Sequence, residues 1–385
     1  MKRSEDTKLP IDERVVITGV GLMSPIGASA WDTAKALLDS RSRYMSHETV
    51  LVADNPKGSL LRGATISRVG EDLIPHSLTG ANRLSALLMP AISQILADLP
   101  TRYKNEIEFK IVLPVAGYEE VILNELAQKN PGIRFSTNSF VVARHPRTEF
   151  FRQIDLISTA TLSGQCKYTI VACADSLCDT AILNNLMLED RLKDAMNPYG
   201  IMASEAAGAI LLERESTARG RGVAILAAVT SRGGATEPAP WTDGKPSKAL
   251  GLTTAFHQAF ERLDDKGRGV LHVITDENGE RQRALEWALT KGRIFPNPSK
   301  QRYLWTPATV AGDAGGALAA IILAYGFTKL IMSTPPGERI AMAVSDDKGD
   351  RQVMCIEHVE QPERDVLFSN LRLQLAGQQK ETEVN

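Results

Sequence analysis

Residues Lys167–Glu213 read KYTIVACADSLCDTAILNNLMLEDRLKDAMNPYGIMASEAAGAILLE. Tyr168–Ala172 is a short apolar run with the β-branched content of a buried strand. The small residues Cys173-Ala174-Asp175-Ser176 read as the turn that ends it. A surface segment follows. Met202-Ala203-Ser204-Glu205-Ala206-Ala207-Gly208 reads as a second small-residue turn. It leads into another apolar strand, Ala209–Leu212, closed by Glu213.

Outward from this stretch the flanks alternate between strand and helix. Upstream, Arg14–Thr18 is a short strand, and Ser29–Leu38 has helical spacing with Ser29 as its N-cap. Asn82–Leu99 is an apolar helix despite Pro90. Phe109–Pro114 is a strand, Glu119–Gln128 a helix, and Ser139–Ala143 a strand. Glu149–Leu162 is the helix that feeds Tyr168. Arg43–Ser77, with Pro56, Gly58, Gly63 and Pro75, reads as an irregular surface excursion. Downstream, Val223–Thr230 is a strand and Ser231–Lys248 a Gly/Pro-rich connection. Ala249–Leu263 and Glu280–Lys291 are helices around the strand Val270–Thr275. Arg302–Trp305 is a strand and Gly315–Thr328 a helix. Arg339–Ser345 and Gln352–Glu357 form a hairpin across Asp346-Asp347-Lys348-Gly349-Asp350.

This alternation predicts a layered α/β fold. We divide the chain into a leading segment, 1–13, two halves, 14–248 and 249–360, and a polar tail, 361–385. No sequence similarity between the halves is visible.

The 385 residues, 43% hydrophobic and 23% charged, suffice for one large or two fused α/β domains. A net charge of −2 gives no electrostatic case for nucleic acid or an anionic membrane. The longest apolar run, near Ala317–Tyr325, is too short to span a bilayer. MKRSEDTKLPIDE at the start has no apolar core of a secretory signal, so a cytoplasmic protein is expected. Cys166, Cys173, Cys178 and Cys355 form no CxxC pair and have no His at metal spacing. They read as free buried thiols, and no metal or cofactor is expected.

Arg14-Val-Val-Ile-Thr-Gly-Val-Gly-Leu-Met-Ser-Pro-Ile-Gly27 resembles the first strand and loop of the β-ketoacyl synthases of the thiolase superfamily. The 167–213 stretch resembles their Ala-Gly-Gly strand end and Gly-Glu-Gly-Ala-Gly turn, with Gly replaced by Ala or Cys at several points. Glu205 matches the Glu of that turn, where it is expected to brace backbone. The resemblance spans roughly 14–357 and implies a thiolase fold, layered αβαβα with two pseudo-symmetric halves.

The same resemblance says where chemistry belongs. The family's nucleophilic Cys opens the helix at Glu149, where a helix N-terminus lowers the thiol pKa. Here Ala143-Arg144-His145-Pro146-Arg147-Thr148 offers neither Cys nor Ser. The family's first His follows the strand Val270–Thr275, but this chain has Asp276-Glu277-Asn278-Gly279-Glu280-Arg281. The second His position falls at Thr309, and the preceding Lys near Leu304. The gating glycines are replaced by the acidic turn 346–350. These departures imply a pseudo-enzyme.

A relocated site has candidates in His145, Asp276, Asn278, Glu280 and Asp313, with Arg283 nearby, as a carboxylate–His constellation. Turn formation and first-turn helix charge explain the same residues without catalysis. Without chemistry the surface must act. Trp241, in its Pro-rich loop, and Leu367, Phe368 and Leu371, in the tail, are candidate partner contacts.

The leading expectation is a catalytically silent homodimer that binds another protein, like the thiolase-like proteins encoded beside type VI secretion effectors. The dimer is expected to form through Ser139–Val142 and the following helix. The alternatives are a chain-length-factor-like subunit beside a partner synthase, and an acyltransferase with a relocated site.

Overall fold

The computed structural model describes residues 14–51, 61–295, 302–332 and 338–361. The first half opens with β1 (Val15–Met23) and α1 (Ala30–Leu38). Ser29 caps α1 by accepting a hydrogen bond from the Asp32 amide at 3.1 Å. A hairpin of β2 (Met45–Leu51) and β3 (Leu61–Ser67) precedes α2 (Gly80–Asp98) and a single turn, α3 (Thr101–Lys104). β4 (Ile107–Leu113), α4 (Glu119–Lys129), β5 (Phe140–Val142), α5 (Pro146–Leu162) and β6 (Tyr168–Ser176) follow. α6 (Thr180–Leu188) and the long β7 (Ala203–Arg214) complete this part.

α7 (Glu215–Arg221) leads to β8 (Ala227–Thr236), α8 (Leu250–Glu261), β9 (Val270–Thr275) and α9 (Arg281–Ile294). β10 (Tyr303–Trp305), the single turn α10 (Ala308–Ala311), α11 (Leu318–Met332), β11 (Arg339–Ser345) and β12 (Asp350–Glu357) end the described fold.

The main path of the sheet runs β10-β9-β11-β12-β8-β1-β7-β6-β4-β5. It consists of one five-strand pattern used twice. In the first half, β5 and β6 flank β4 in parallel, and β7 and then β1 add antiparallel. In the second, β10 and β11 flank β9 in parallel, and β12 and then β8 add antiparallel. Among the described residues the two sets pair only at β1 and β8, where Val15, Val16 and Ile17 face Val229, Ala228 and Ala227. By pairing, the second set begins at Ala227, upstream of the division drawn after Lys248.

Burial explains the layers. α5 and α11 lie between the two five-strand halves of the sheet. Phe150, Phe151 and Ile154 of α5 share one core with Ile321, Ile322 and Phe327 of α11 and with Ile210 and Met342 from the two halves. The outer face of the first half is covered by α2 and α4 through Leu87, Leu88, Ile92, Ile122 and Leu126. α8 and α9 cover the second through Phe256, Phe260 and Trp287. The expected αβαβα layering in two pseudo-symmetric halves is therefore present.

Several local expectations are corrected. Cys173–Ser176 is not a turn: β6 continues to Ser176, paired with Glu205. Met202–Gly208 is not one either, because β7 begins at Ala203. These residues are small because helices pass close above them. A Cβ on Gly208 would stand 2.3 Å from the Ala320 Cβ of α11. β8 likewise runs through the glycines read as a connection, to Thr236. The 43–77 excursion contains β2 and β3, and β3 joins β7 in parallel at Ile66 and Ala203.

Candidate functional site

Strands β5 and β9, each ending a parallel crossover, deliver their following residues to the level where the two halves face each other. There α5 begins with His145 in the cap position and Pro146 in the first turn, a placement proline favours. Arg147 comes next. A cation at a helix N-terminus sits at the unfavourable end of the dipole and needs an anion. Asp313, ahead of α11, supplies it. Arg147 Nη1 and Nη2 donate to the two Asp313 carboxylate oxygens, each at 2.8 Å. Asp313 is fully buried. Its oxygens also accept from Asn278 Nδ2 at 2.6 Å and from the Gly315 amide at 3.0 Å.

The network extends from there through charged groups that all find partners. Asn278 Nδ2 also donates to Glu280 at 3.0 Å, and Asn278 Oδ1 accepts the Glu280 amide at 3.1 Å. Glu280 takes a two-pronged contact from Arg191, at 2.7 and 3.0 Å. Arg191 reaches Asp347 at 3.0 Å. Arg283 donates to the other Asp347 oxygen at 2.7 Å and to Asp276 at 2.9 Å. Asp276 in turn accepts the Ser345 amide at 2.7 Å.

The charge states follow from these partners. Burial pushes the Asp313 carboxyl up, but Arg147, with Arg283 and Asn278, outweighs it and holds the group below the ordinary carboxylate range. The same contest depresses Glu280, through Arg191 and Arg283, and holds Asp347 well down. Asp276 ends above its usual value, because burial outweighs the opposing pull of Arg283, the Ser345 amide, Arg147 and Arg351.

Of the five sequence candidates, Asp313, Asn278 and Glu280 touch one another, and Asp276 joins them through Arg283. His145 stands apart, with Nδ1 3.1 Å from Asp346. It shares no hydrogen bond or ion pair with the other four, so the carboxylate–His constellation does not assemble. Trp241 is also not the exposed aromatic expected. Its ring is half-buried under the Arg191 guanidinium, 4.6 Å from the ring centre. Leu367, Phe368 and Leu371 lie outside the described residues.

Sequence reasoning missed Arg147, Arg191 and Asp347 as members of the network. The one available signal was an Arg at the helix start where the family places a nucleophile. The cysteines supply no replacement. Cys173, Cys178 and Cys355 are buried, and Cys166 is half-buried. Burial raises all four thiols, Cys355 to about 12, which disfavours the thiolate that a nucleophile requires.

A cleft of about 400 Å³ opens at the carboxyl ends of β4 and β6, beside the starts of α2 and α6. Asp175 and Ser176 form part of its wall, with Arg68, His76 and Tyr118. Asp175 accepts the Gly316 amide at 2.7 Å and the Ser176 amide at 2.8 Å. Burial nevertheless raises its pKa to about 6. Behind this wall Glu205 accepts the Val69 amide at 2.9 Å, Ser176 Oγ at 2.9 Å and Arg83 Nε at 3.1 Å. It is fully buried, and it bridges backbone to side chains of three segments.

No protein-family model matches the chain, and no curated protein matches it by sequence. Solved structures match it by shape. The ketosynthase from module 6 of the bacillaene synthase from Bacillus subtilis 168 superposes with a TM-score of 0.71 at 12% identity, covering 90% of this chain and 72% of that one. The ishigamide ketosynthase/chain length factor gives 0.66 at 16%, covering 90% and 99%. The ketosynthase ApeO in complex with its chain length factor ApeC, from Xenorhabdus doucetiae, gives 0.67 at 13%, covering 91% and 100%. The chain therefore has the thiolase-like fold of ketosynthases and chain length factors. Among the described residues no helix is long and apolar enough to cross a membrane.

Proposed function

We propose that this chain is a non-catalytic ketosynthase-fold subunit that acts by pairing with another protein, foremost a partner synthase. One observation carries the reading. The start of α5, where the synthases resembled by sequence hold their nucleophile, holds Arg147 locked to a fully buried Asp313. A side chain whose donors are committed to a buried carboxylate is neither an acyl acceptor nor space for one. The Asn278–Glu280–Arg191–Asp347–Arg283–Asp276 chain extends the same closure and supports structural duty over a relocated active site.

The neighbours in shape include chain length factors, and one is a ketosynthase in complex with its chain length factor. They favour the chain-length-factor-like reading. They add no support for the type VI secretion adaptor expected first. β5 supports association in either form, because among the described residues it is an edge strand hydrogen-bonded only to β4. An uncovered edge calls for a partner strand, from a second copy or from a synthase.

The test is incubation with malonyl and acyl thioesters, alone and with an active ketosynthase. The chain alone should release no carbon dioxide, form no condensation product, and carry no hydroxylamine-labile acyl group by intact mass. It should co-elute with the ketosynthase. Condensation by the chain alone would end the non-catalytic reading. Failure to associate with any ketosynthase, with the chain silent, would remove the partner-synthase reading and leave self-association.

A further inference from the structure

The cleft at the carboxyl ends of β4 and β6 carries a positive charge that its surroundings leave unanswered. Arg83 and Arg68 both line it, and both lie against Glu205 behind the wall. An ionised carboxylate has about four lone-pair sites. Those of Glu205 are taken by Nε and Nη2 of Arg83, the Val69 amide and Ser176 Oγ. Arg68 stands 3.9 Å off, with its Nε buried and not hydrogen-bonded. Its Nη2 donates to two neutral acceptors, the carbonyls of His76 at 3.0 Å and Leu78 at 3.4 Å. Among the described residues its Nη1 makes no hydrogen bond. The side chain is 14% exposed, so most of the hydration of this guanidinium is gone. No hydrogen bond to a carboxylate replaces it, which leaves a costly charge.

The acids of the cleft are engaged elsewhere. The two oxygens of Asp175 accept the Gly316 and Ser176 amides. Asp179 caps α6, its Oδ1 accepting the Ala181 amide at 2.9 Å, where the helix dipole answers its charge. His76 is held by the Val69 carbonyl at 2.9 Å and by Glu71 at 3.1 Å. α2 also opens on this cleft. Thr79 gives its first amides no side-chain bond, and its first turn holds no acid, so this end adds donors and no negative charge. The remaining wall is apolar, with Leu78, Leu84, Val115, Ile182 and the Tyr118 ring. Thr79, Val115 and Thr180 are exposed at the rim, so the cleft is open to solvent.

We propose that this cleft binds a small organic carboxylate, with its anionic head on Arg68 and its apolar body against Leu78, Leu84 and Ile182. One unanswered charge matches a monoanion better than a phosphate dianion. The head fixes orientation through a charge-assisted hydrogen bond, and the wall supplies the buried area, which is the usual division of labour in a ligand site. The cleft of about 400 Å³ has room for a ring or a short chain behind the head. Binding here is independent of the partner-synthase reading, because every group it uses belongs to this chain.

The test titrates the full chain with 3-phenylpropionate and with its neutral counterpart 3-phenylpropanol, followed by NMR. The acid should bind roughly tenfold tighter than the alcohol, the worth of one hydrogen bond to a charged group. Arg68→Met should remove that preference. Because Arg68 also holds two carbonyls, a second variant leaves it in place. Thr180→Glu puts a carboxylate at the exposed first position of α6, where the helix dipole favours it and the fold is kept. It should weaken the acid roughly tenfold and leave the alcohol unchanged. An acid that binds no tighter than the alcohol, a preference that survives Arg68→Met, or an acid affinity untouched by Thr180→Glu would each overturn the proposal.

Discussion

At the scale of single residues, the Arg147–Asp313 contact decides most. The two positions are 166 residues apart, yet each uses both of its polar ends on the other. Removing only the arginine strands a buried carboxylate. Arg147→Ala should therefore cost roughly 3–5 kcal/mol in urea unfolding. The double variant Arg147→Met with Asp313→Leu should recover a large part of that loss, because it leaves no charge behind. Equal losses for the single and double variants would contradict this account.

Asp175 makes a second, opposite-signed prediction. Its folded pKa of about 6 lies above the unfolded value, so its protonated form is favoured by folding. The associated stability, of about 3 kcal/mol, is fully present below roughly pH 4 and lost as pH rises through 6. Asp175→Asn should remove this dependence. The wild type should thus gain stability relative to the variant as pH falls from 7.5 to 4.5.

Neither contact was legible in the sequence. Asp313 stood out beside glycines and Asp276 beside a turn, but a bond between residues so far apart leaves no local periodicity. Arg147 was visible only as a residue of the wrong kind in a place the family resemblance marked.

At the scale of elements, amphipathic helices and apolar strands were readable from spacing alone. α1 with its Ser29 cap, α4 and β9 fell within a few residues of expectation. The errors share one cause. Runs of Gly, Ala and Ser look like turns, but in β6, β7 and β8 they are strand surface under a close helix. Gly233 shows why: a Cβ there would stand 2.0 Å from the Ala255 carbonyl oxygen of α8. Gly21 of β1 meets the Ala91 carbonyl of α2 in the same way, at 1.9 Å. Gly233→Ala should therefore destabilise by about 1–3 kcal/mol through overpacking. Gly220→Ala, where the added carbon meets nothing within 4 Å, should be nearly neutral. Thermal melts of the two variants side by side check this.

At the scale of the whole molecule, the layered architecture was legible from the alternation of elements and the family resemblance, but the repetition was not. It emerges when β1 is laid on β8. VVITGVG from Val15 and AAVTSRG from Ala227 then place Thr18 opposite Thr230 and Gly21 opposite Gly233. Two matches in seven are invisible without the pairing pattern to set the frame. The free edge of β5 gives a prediction at this scale. Val142, 43% exposed on that edge, should tolerate Val142→Asp with no loss of melting temperature, while association with the partner weakens in light scattering. Unchanged association would move the interface elsewhere.

The Arg147–Asp313 bond also works as a clasp. Arg147 belongs to the helix that follows β5 in the first half, and Asp313 to the segment ahead of α11 in the second. The strand seam between the halves is only three residue pairs long. Pulling either half away would strand a buried charge on each side, so the halves are expected to melt together in a single transition.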